Sequence, residues 1–571
     1  MAESATLTKT YSLEENRAAR VHQYREGAFN DQQRRHEDWR ENYSLYRDRV
    51  FTNRLTQRQS VNVPLMKETI RTMLSKTDEF TDIYFESLSG DKQKEIFANA
   101  YWDYFYHIDN LELKDIVDKK QVGLYGRSIM KLNLFDGRPT VEVLEPYDWL
   151  CDRYADPADI SNTANYQAHI NIFQTISEIE KNPLYDQAAV TRLREKYAQA
   201  MGLALSEENV KALQAKNERM QDLGLFDVNN PQVGETYVEI NEHYVRLWCE
   251  EDKDLRIFLR ITADGELLFE KKLKDYLNID FYPFITWADD IEKTDIWSDG
   301  LADIVRTPNN VLNSWYSQMV ENRTLRNFGM HFYDATQGDG KWVPQSYDPA
   351  PWGFYPVAGN PNDVVKQVEI PDLSESMDEM NFVIGMVERA TATTATEKGS
   401  ETKGDVTLGE VKIMLANSNQ RIVSVAKFYR LARIELGEKW YKFVMANEKW
   451  IKPVDLFKKS SVSGKYYKEN VGTADWKDEV GYACKVISTA EREQKTIESI
   501  TKLQAVSAMF PDNVPLKKIL RKKAIDILDL TPEEQKEVMD FEPQAPTMMN
   551  EATPSPLSTP TAPVAPTAPA A

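Results

Sequence analysis

The sequence predicts an α+β protein in which helix predominates. Two stretches, 128–150 and 235–287, alternate apolar and polar residues around Asp-Gly turns, the period of antiparallel strands. Three others, 288–328, 372–390 and 407–443, repeat apolar residues at the spacing of one helical face. The 571 residues, 42% hydrophobic and 11% aromatic, suffice for about three to four domains with cores of their own.

Taken in order, residues 13–60 read as charged helix, with Arg17, Arg20, Arg25, Arg34, Arg35, Arg40, Arg47 and Arg49 among acids and Tyr24, Trp39, Tyr43 and Tyr46 between them. Arginine with aromatics suits nucleic acid, but mixed-sign charge on a helix more often marks a solvated face or a subunit contact. Helices follow at 65–76, about 91–106 and from 111 to about 126. SIMKLNLF, the turn Asp136-Gly137-Arg138-Pro139 and TVEVLEPYDWL then form a β-hairpin. Glu145, Asp148, Asp152 and Asp156 lack the closing Glu and turn Gly of a calcium loop, so they read as turn carboxylates. Residues 174–222 look like a peripheral helical insertion, and 235–287, ending in FYPFITW, like an antiparallel meander. Residues 288–328 make one long helix or two in line, with Pro308 opening a new first turn behind Thr307. Short strands around HFYDA and VVKQVEI bound a Pro/Gly/aromatic segment, 329–371.

A helix then opens at Asp372 or Ser374 with the stripe Met377, Met380, Val383, Ile384, Val387. It gives way to TATTATEKGSETKGDV (391–406), a polar stretch with two glycines. Thr407-Leu408-Gly409-Glu410 forms a capping box for a helix running to about Phe443 through Tyr429, Leu436 and Trp440. Residues 451–487 are short-stranded, 489–540 helical, and the Pro/Ala/Thr-rich tail from about Glu542 is disordered by composition. Lys517, Lys518, Arg521, Lys522 and Lys523 make the one dense basic run.

The net charge of −20 argues against gripping nucleic acid over the whole surface, yet not against a wall that nucleic acid slides past. Cys151, Cys249 and Cys484 suit buried thiols and show no metal spacing. No stretch is long and apolar enough for a membrane span, and the first sixteen residues lack the apolar core of a signal peptide. Gly338-Asp339-Gly340-Lys341-Trp342 lacks the first Gly and the hydroxyl residue of a P-loop, and the six histidines are scattered singly. There is no nucleophile elbow and no metalloprotease motif. The expectation is therefore no enzyme, no catalytic or metal-binding residues and no cofactor.

Three segments together resemble a known family. They are Gly126-Arg127-Ser128 through Pro146-Tyr147-Asp148; Asp299-Gly300-Leu301 with LNSWYSQMVENRTL behind it; and Glu388-Arg389-Ala390-Thr391 with its polar loop and very long helix. In this order they are similar to the wing segment, first stem helix, and second stem helix with tunnel loop of the portal (head-to-tail connector) proteins of tailed bacteriophages. The resemblance covers most of 13–540 by element order, leaving out 174–222 and the tail.

It implies a portal-type subunit with wing, stem, clip and crown regions, assembling into a ring, usually of twelve, around a channel for DNA packaging and ejection. Residues 1–287 would be wing, 288–328 and 372–390 stem, 329–371 clip, 391–406 tunnel loop, 407–487 a wing helix with a short β segment, 488–541 crown and 542–571 tail. Lys398, Lys403, Glu397 and Glu401 would then face DNA, and Lys517, Lys518, Arg521, Lys522 and Lys523 would form either a crown patch or a packed or solvated face. Trp342, Tyr347, Trp352 and Tyr355 would sit in the clip, which docks the terminase large subunit and later head-completion or tail adaptor proteins. Further implied partners are the chain itself, major capsid and scaffolding proteins and double-stranded DNA, with assembly in the host cytoplasm and residence at one virion vertex. The alternative reading is a virion scaffold or adaptor without a channel.

Overall fold

The structure, a computed structural model, describes residues 13–48, 61–77, 83–200, 237–327, 331–333, 365–367, 376–391, 408–459, 466–486 and the positions 501–502, 505 and 536. Helices α1 (Leu13–Gln33), α2 (His36–Tyr46) and α3 (Leu65–Lys76) precede β1 (Ile83–Ser87), α4 (Lys92–Ile108) and α5 (Leu111–Tyr125). Next come β2 (Arg127–Phe135), β3 (Arg138–Leu144), β4 (Trp149–Cys151), α6 (Ile160–Thr163), β5 (Tyr166–Thr175), α7 (Ile176–Lys181) and α8 (Gln187–Ala200). Strands β6 (Tyr237–Cys249), β7 (Asp254–Ala263) and β8 (Glu266–Lys272) lead through α9 (Leu273–Leu277) to β9 (Phe284–Ala288) and α10 (Leu301–Asn327). Strands β10 (His331–Tyr333) and β11 (Val365–Gln367) pair before α11 (Ser376–Thr391) and α12 (Leu408–Ala446), and β12 (Val454–Lys459), β13 (Tyr466–Val471) and β14 (Tyr482–Val486) come last. The chain divides into two units, 1–456 with 468–495, and 457–467 with 496–571. Every side chain discussed below belongs to the first.

Asp136 and Gly137 both have positive φ, 49° and 73°, as the two-residue type I′ turn requires, so Phe135 pairs with Arg138 and the hairpin forms as expected. The meander does not end as expected. FYPFITW leaves its neighbours, and β9 instead pairs with the free edge of β2 to give a three-stranded sheet ordered β3-β2-β9. Helix α9 and Asn278, with φ 54°, turn the chain away after β8. Because β9 is apolar on both faces, it suits the interior beside an equally buried β2 better than a sheet rim. The five-stranded antiparallel sheet, β4-β5-β6-β7-β8, takes two strands from upstream, including β5, which local patterning had not marked. Strand β1 finds its partner in β14, with Phe85 opposite Cys484.

A main hydrophobic core runs through these layers, and a smaller cluster with Val21 and Ala28 of α1 against Leu150, Tyr166, Ala168 and Val245 is separate from it. Trp440 of α12 lies at the centre of an aromatic nest, edge-on to Trp102 at 4.9 Å and stacked on Trp476 at 5.8 Å. Helix α12 approaches the β1–β14 ribbon at Gly437, where a Cβ would stand 2.9 Å from Ile83. The supposed peripheral insertion starts inside this core. Ala189, Val190, Leu193 and Tyr197 of α8 are buried, and Arg192 reaches Glu266 at 2.9 Å. All three cysteines are buried free thiols. Asp152 accepts from the Tyr154 and Asn165 N–H groups and Asp156 from the Ala158 N–H, so these acids do serve as turn carboxylates.

The helix expected over 288–328 starts only at Leu301, because Ser298 and Asp299 are occupied in a close crossing of backbones. Gly126 ends α5 in the left-handed region, φ 83°, and a Cβ there would lie 1.9 Å from the Ser298 carbonyl oxygen. A Cβ on Gly300 would lie 2.7 Å from the Gly126 nitrogen. Pro308 opens no new helix; α10 continues through it. The Ile304 carbonyl loses its donor there, at a residue that is itself exposed. On α11, Met380 and Val387 are buried, but Met377 is 41% exposed and does not belong to the packed stripe.

Gly126→Ala meets both obstacles, the backbone clash and the left-handed φ, and should cost more than about 3 kcal/mol in chemical denaturation. Gly265→Ala, at φ 79° in open space, should cost about 1 kcal/mol.

Candidate functional site

The functional segments inferred from the sequence hang on three helices, and the described residues show how those helices are rooted. At the start of α10, Asp303 accepts the Gly300 N–H at 2.9 Å, the reach-back half of a helix cap. The same carboxylate takes Arg35 at 2.9 Å, and its other oxygen takes Asn42 at 3.1 Å and Arg306 at 3.2 Å. Arg35 also reaches Asp299 at 2.8 Å, and Arg306 reaches Asp38 at 2.8 Å. The arginine-rich N-terminal helices thus spend part of their charge inside the subunit, and Trp39 is buried edge-on to Trp297.

One face of α10 then substitutes for missing backbone partners. Helix α3 begins behind Pro64 with no side-chain cap. In its place the Oδ1 atoms of Asn309 and Asn313 accept the Met66 and Val63 N–H groups at 3.2 and 2.7 Å, and the Ser317 hydroxyl accepts the Val61 N–H at 3.0 Å. Positions 309, 313 and 317 are four apart, so they form one row along the helix. Helix α11 packs against α10, and Val383, Ile384 and Val387 of the one and Trp315, Tyr316 and Met319 of the other all belong to the core or pack on it.

Helix α12 is held by a buried charge cluster. Asp115 on α5 meets Arg433 at 3.3 Å and Lys119 at 3.1 Å, and Tyr429 donates its hydroxyl to Asp115. Lys119 lies 4.7 Å from the centre of the Tyr429 ring. Asp118 accepts the Trp287 indole N–H at 2.7 Å, and burial pushes its carboxyl up to about 7, with Asp115 adding to the rise while Ser128, Trp287 and Arg433 oppose it. Further along, the Lys439 ammonium donates to the Phe284 carbonyl at 2.6 Å, and the Asn447 amide donates to Leu277 at 2.8 Å. Sequence reading missed this cluster because its acids and bases alternate in LELKDIVDKKQV like those of any solvated helix.

The singled-out residues themselves, Glu397, Lys398, Glu401 and Lys403, the run Lys517, Lys518, Arg521, Lys522 and Lys523, and Trp342, Tyr347, Trp352 and Tyr355, all lie outside the described residues. So do Thr407, Asp372 and Ser374. What is placed is the anchorage of two of these segments: α11 ends at Thr391 and α12 begins at Leu408, bracketing the polar loop, while the β10–β11 pair brackets 334–364. Among the described residues no group of three or more His, Cys, Asp or Glu has the geometry to hold a metal ion. No described helix is long and apolar enough to cross a membrane.

Residues 47–509 match the family model of the phage SU10 portal protein. The chain belongs to that portal family. No curated protein matches it. The match runs through 174–222, consistent with α8 lying in the core, and stops before the basic run at 517–523. Both crossing glycines of this portal, its charge cluster and the polar loop lie within the matched span.

The Asp118 shift sets a pH dependence. Its folded pKa, about 7, lies above the ordinary 3.8, so the folded portal holds a proton there that the unfolded chain has released. The stabilisation is complete below the unfolded value and is lost as pH rises through the folded one. Asp118→Asn should match the parent near pH 4 and become the more stable by about 1.4 kcal/mol per pH unit on the way to pH 7, as followed by urea denaturation across that range.

Proposed function

We propose that this portal assembles into a ring, of twelve copies in the family's usual form, whose axial channel passes double-stranded DNA into the capsid during packaging and out during ejection. The observation that carries the reading is the family match across 47–509, and the anchorage of the polar loop supports it. A loop held between α11 and a helix of about 58 Å, clamped to the body at its far half, can present its side chains at a constriction.

In this reading 288–328 and 372–390 are the stem, 391–406 is the tunnel loop and 488–541 the crown. Lys398 and Lys403 meet phosphate, while Glu397, Glu401 and the overall charge of −20 keep DNA from sticking. The clip, 329–371, with Trp342, Tyr347, Trp352 and Tyr355, docks the terminase large subunit during packaging and head-completion or tail adaptors afterwards. The portal itself catalyses nothing, since the motor supplies the energy, and it resides at one vertex of the virion in contact with capsid and scaffolding proteins.

Light scattering and class-averaged electron micrographs of the purified portal should show a closed ring of about twelve copies with a central hole. Deleting 393–403 should leave that ring intact and reduce DNA packaging or retention at least tenfold in an in vitro packaging assay. A deletion variant that fails to close would assign the loop to assembly instead.

A further inference from the structure

Among the described residues, large apolar side chains gather in water around one corner of the fold. Leu113, Ile116 and Val117 share the outer face of α5, Ile108 closes α4 and Phe135 closes β2. Leu113 is 64% exposed and Phe135 74%. The corner is braced. Asp109 accepts the Val141 N–H at 2.8 Å, tying the α4–α5 junction to β3. Lys452 ties the hairpin turn to the segment behind α12, its N–H on the Gly137 carbonyl at 3.3 Å and its ammonium on Asp136 at 3.0 Å. Leu113, Val117 and Phe135, with Leu259 and Tyr276, line a groove of about 1100 Å³.

The charges of this corner nearly cancel, with Glu142 the one left over among those named here. In the groove, Lys131 pairs with Glu242 at 2.5 Å and also meets Nδ1 of His169 at 3.1 Å. Burial first, and then Lys131, hold His169 down at about 3, so it is a neutral imidazole. Around it Lys114 pairs with Asp109 at 2.6 Å, and Glu142 accepts from Asn133 at 2.9 Å. Glu112 and Arg138, which make no ion pair among the described residues, are of opposite sign. Exposed apolar clusters of this kind mark interfaces, and the charge balance indicates which kind. Two copies at −20 each repel wherever acids face acids, so they meet best on a face that is apolar and close to neutral. A basic partner would be drawn to uncompensated acids elsewhere.

We propose that the corner formed by the outer face of α5, the β2–β3 turn and the groove beside them is buried against the neighbouring copy of this chain in the ring. The inference rests on the ring reading above. Since a ring contact is head-to-tail, the surface that meets this corner is a different one on the next copy.

The test places a photoreactive benzophenone amino acid at position 135 of the full chain and irradiates the purified assembly. A ladder of covalent multimers, with adducts mapped by mass spectrometry to another copy, is expected; rings that close yet give no ladder overturn the proposal. Leu113→Glu and Phe135→Glu, checked for native melting by circular dichroism, should raise the concentration needed for ring closure at least tenfold. Unchanged closure by both folded variants overturns it as well. If the unsubstituted chain never forms a ring, the ring reading itself falls, a result that light scattering separates from the other two.

Discussion

Backbone touches backbone where Gly126 and Gly300 cross, and neither position leaves room for a single carbon more. That contact fixes three things together: where α5 stops, where β2 begins and where α10 can first turn helical. Arg127, next in the chain, is buried and holds the Ile296 carbonyl at 2.7 Å and the Thr286 hydroxyl at 3.2 Å, so the loop ahead of α10 is pinned from the same point. The salt-bridged root around Asp303 and the asparagine row on α10 are downstream of this crossing, since both need the helix to start at one residue and no other.

The cluster of Asp115, Lys119, Tyr429 and Arg433 has a different role from the aromatic nest around Trp440. Removing charges from water costs several kcal/mol per ion, and their mutual attraction offsets that cost only when the geometry is right. Such a cluster adds little net stability and much discrimination. Sliding α12 by one turn along α5 would strand Arg433 and Asp115 without partners in a dry interior, whereas an all-apolar contact would tolerate the slip. The nest supplies burial, and the charges select the register.

Much of this was legible in the sequence. The Asp136-Gly137 turn, the helices at 65–76 and about 91–106, and the strands around HFYDA and VVKQVEI all follow from local rules, and family membership followed from element order. What escaped depended on distance in the chain. Strand β5 is buried on both faces for half its length and so lacks the clean alternation of an exposed strand. The switch of β9 to β2, and the pairing of β1 with β14, depend on which edges are free, which no local window contains. Asn309 and Asn313 read as polar positions on a helix, and only the uncapped start of α3 explains them. The candidate functional residues were legible as composition, a polar loop with lysines and a clustered basic run, while the structure contributes the supports of the loop.

The length of α12 magnifies any change of angle at the Arg433 cluster. From the clamp at Arg433 to Leu408 the helix extends about 38 Å, so a tilt of about 5° at the clamp displaces the far end by about 3 Å, close to the rise of one nucleotide along a DNA strand. In the proposed channel, tolerances of a few degrees within the dry charge cluster would be read at Leu408 as whole steps of a duplex.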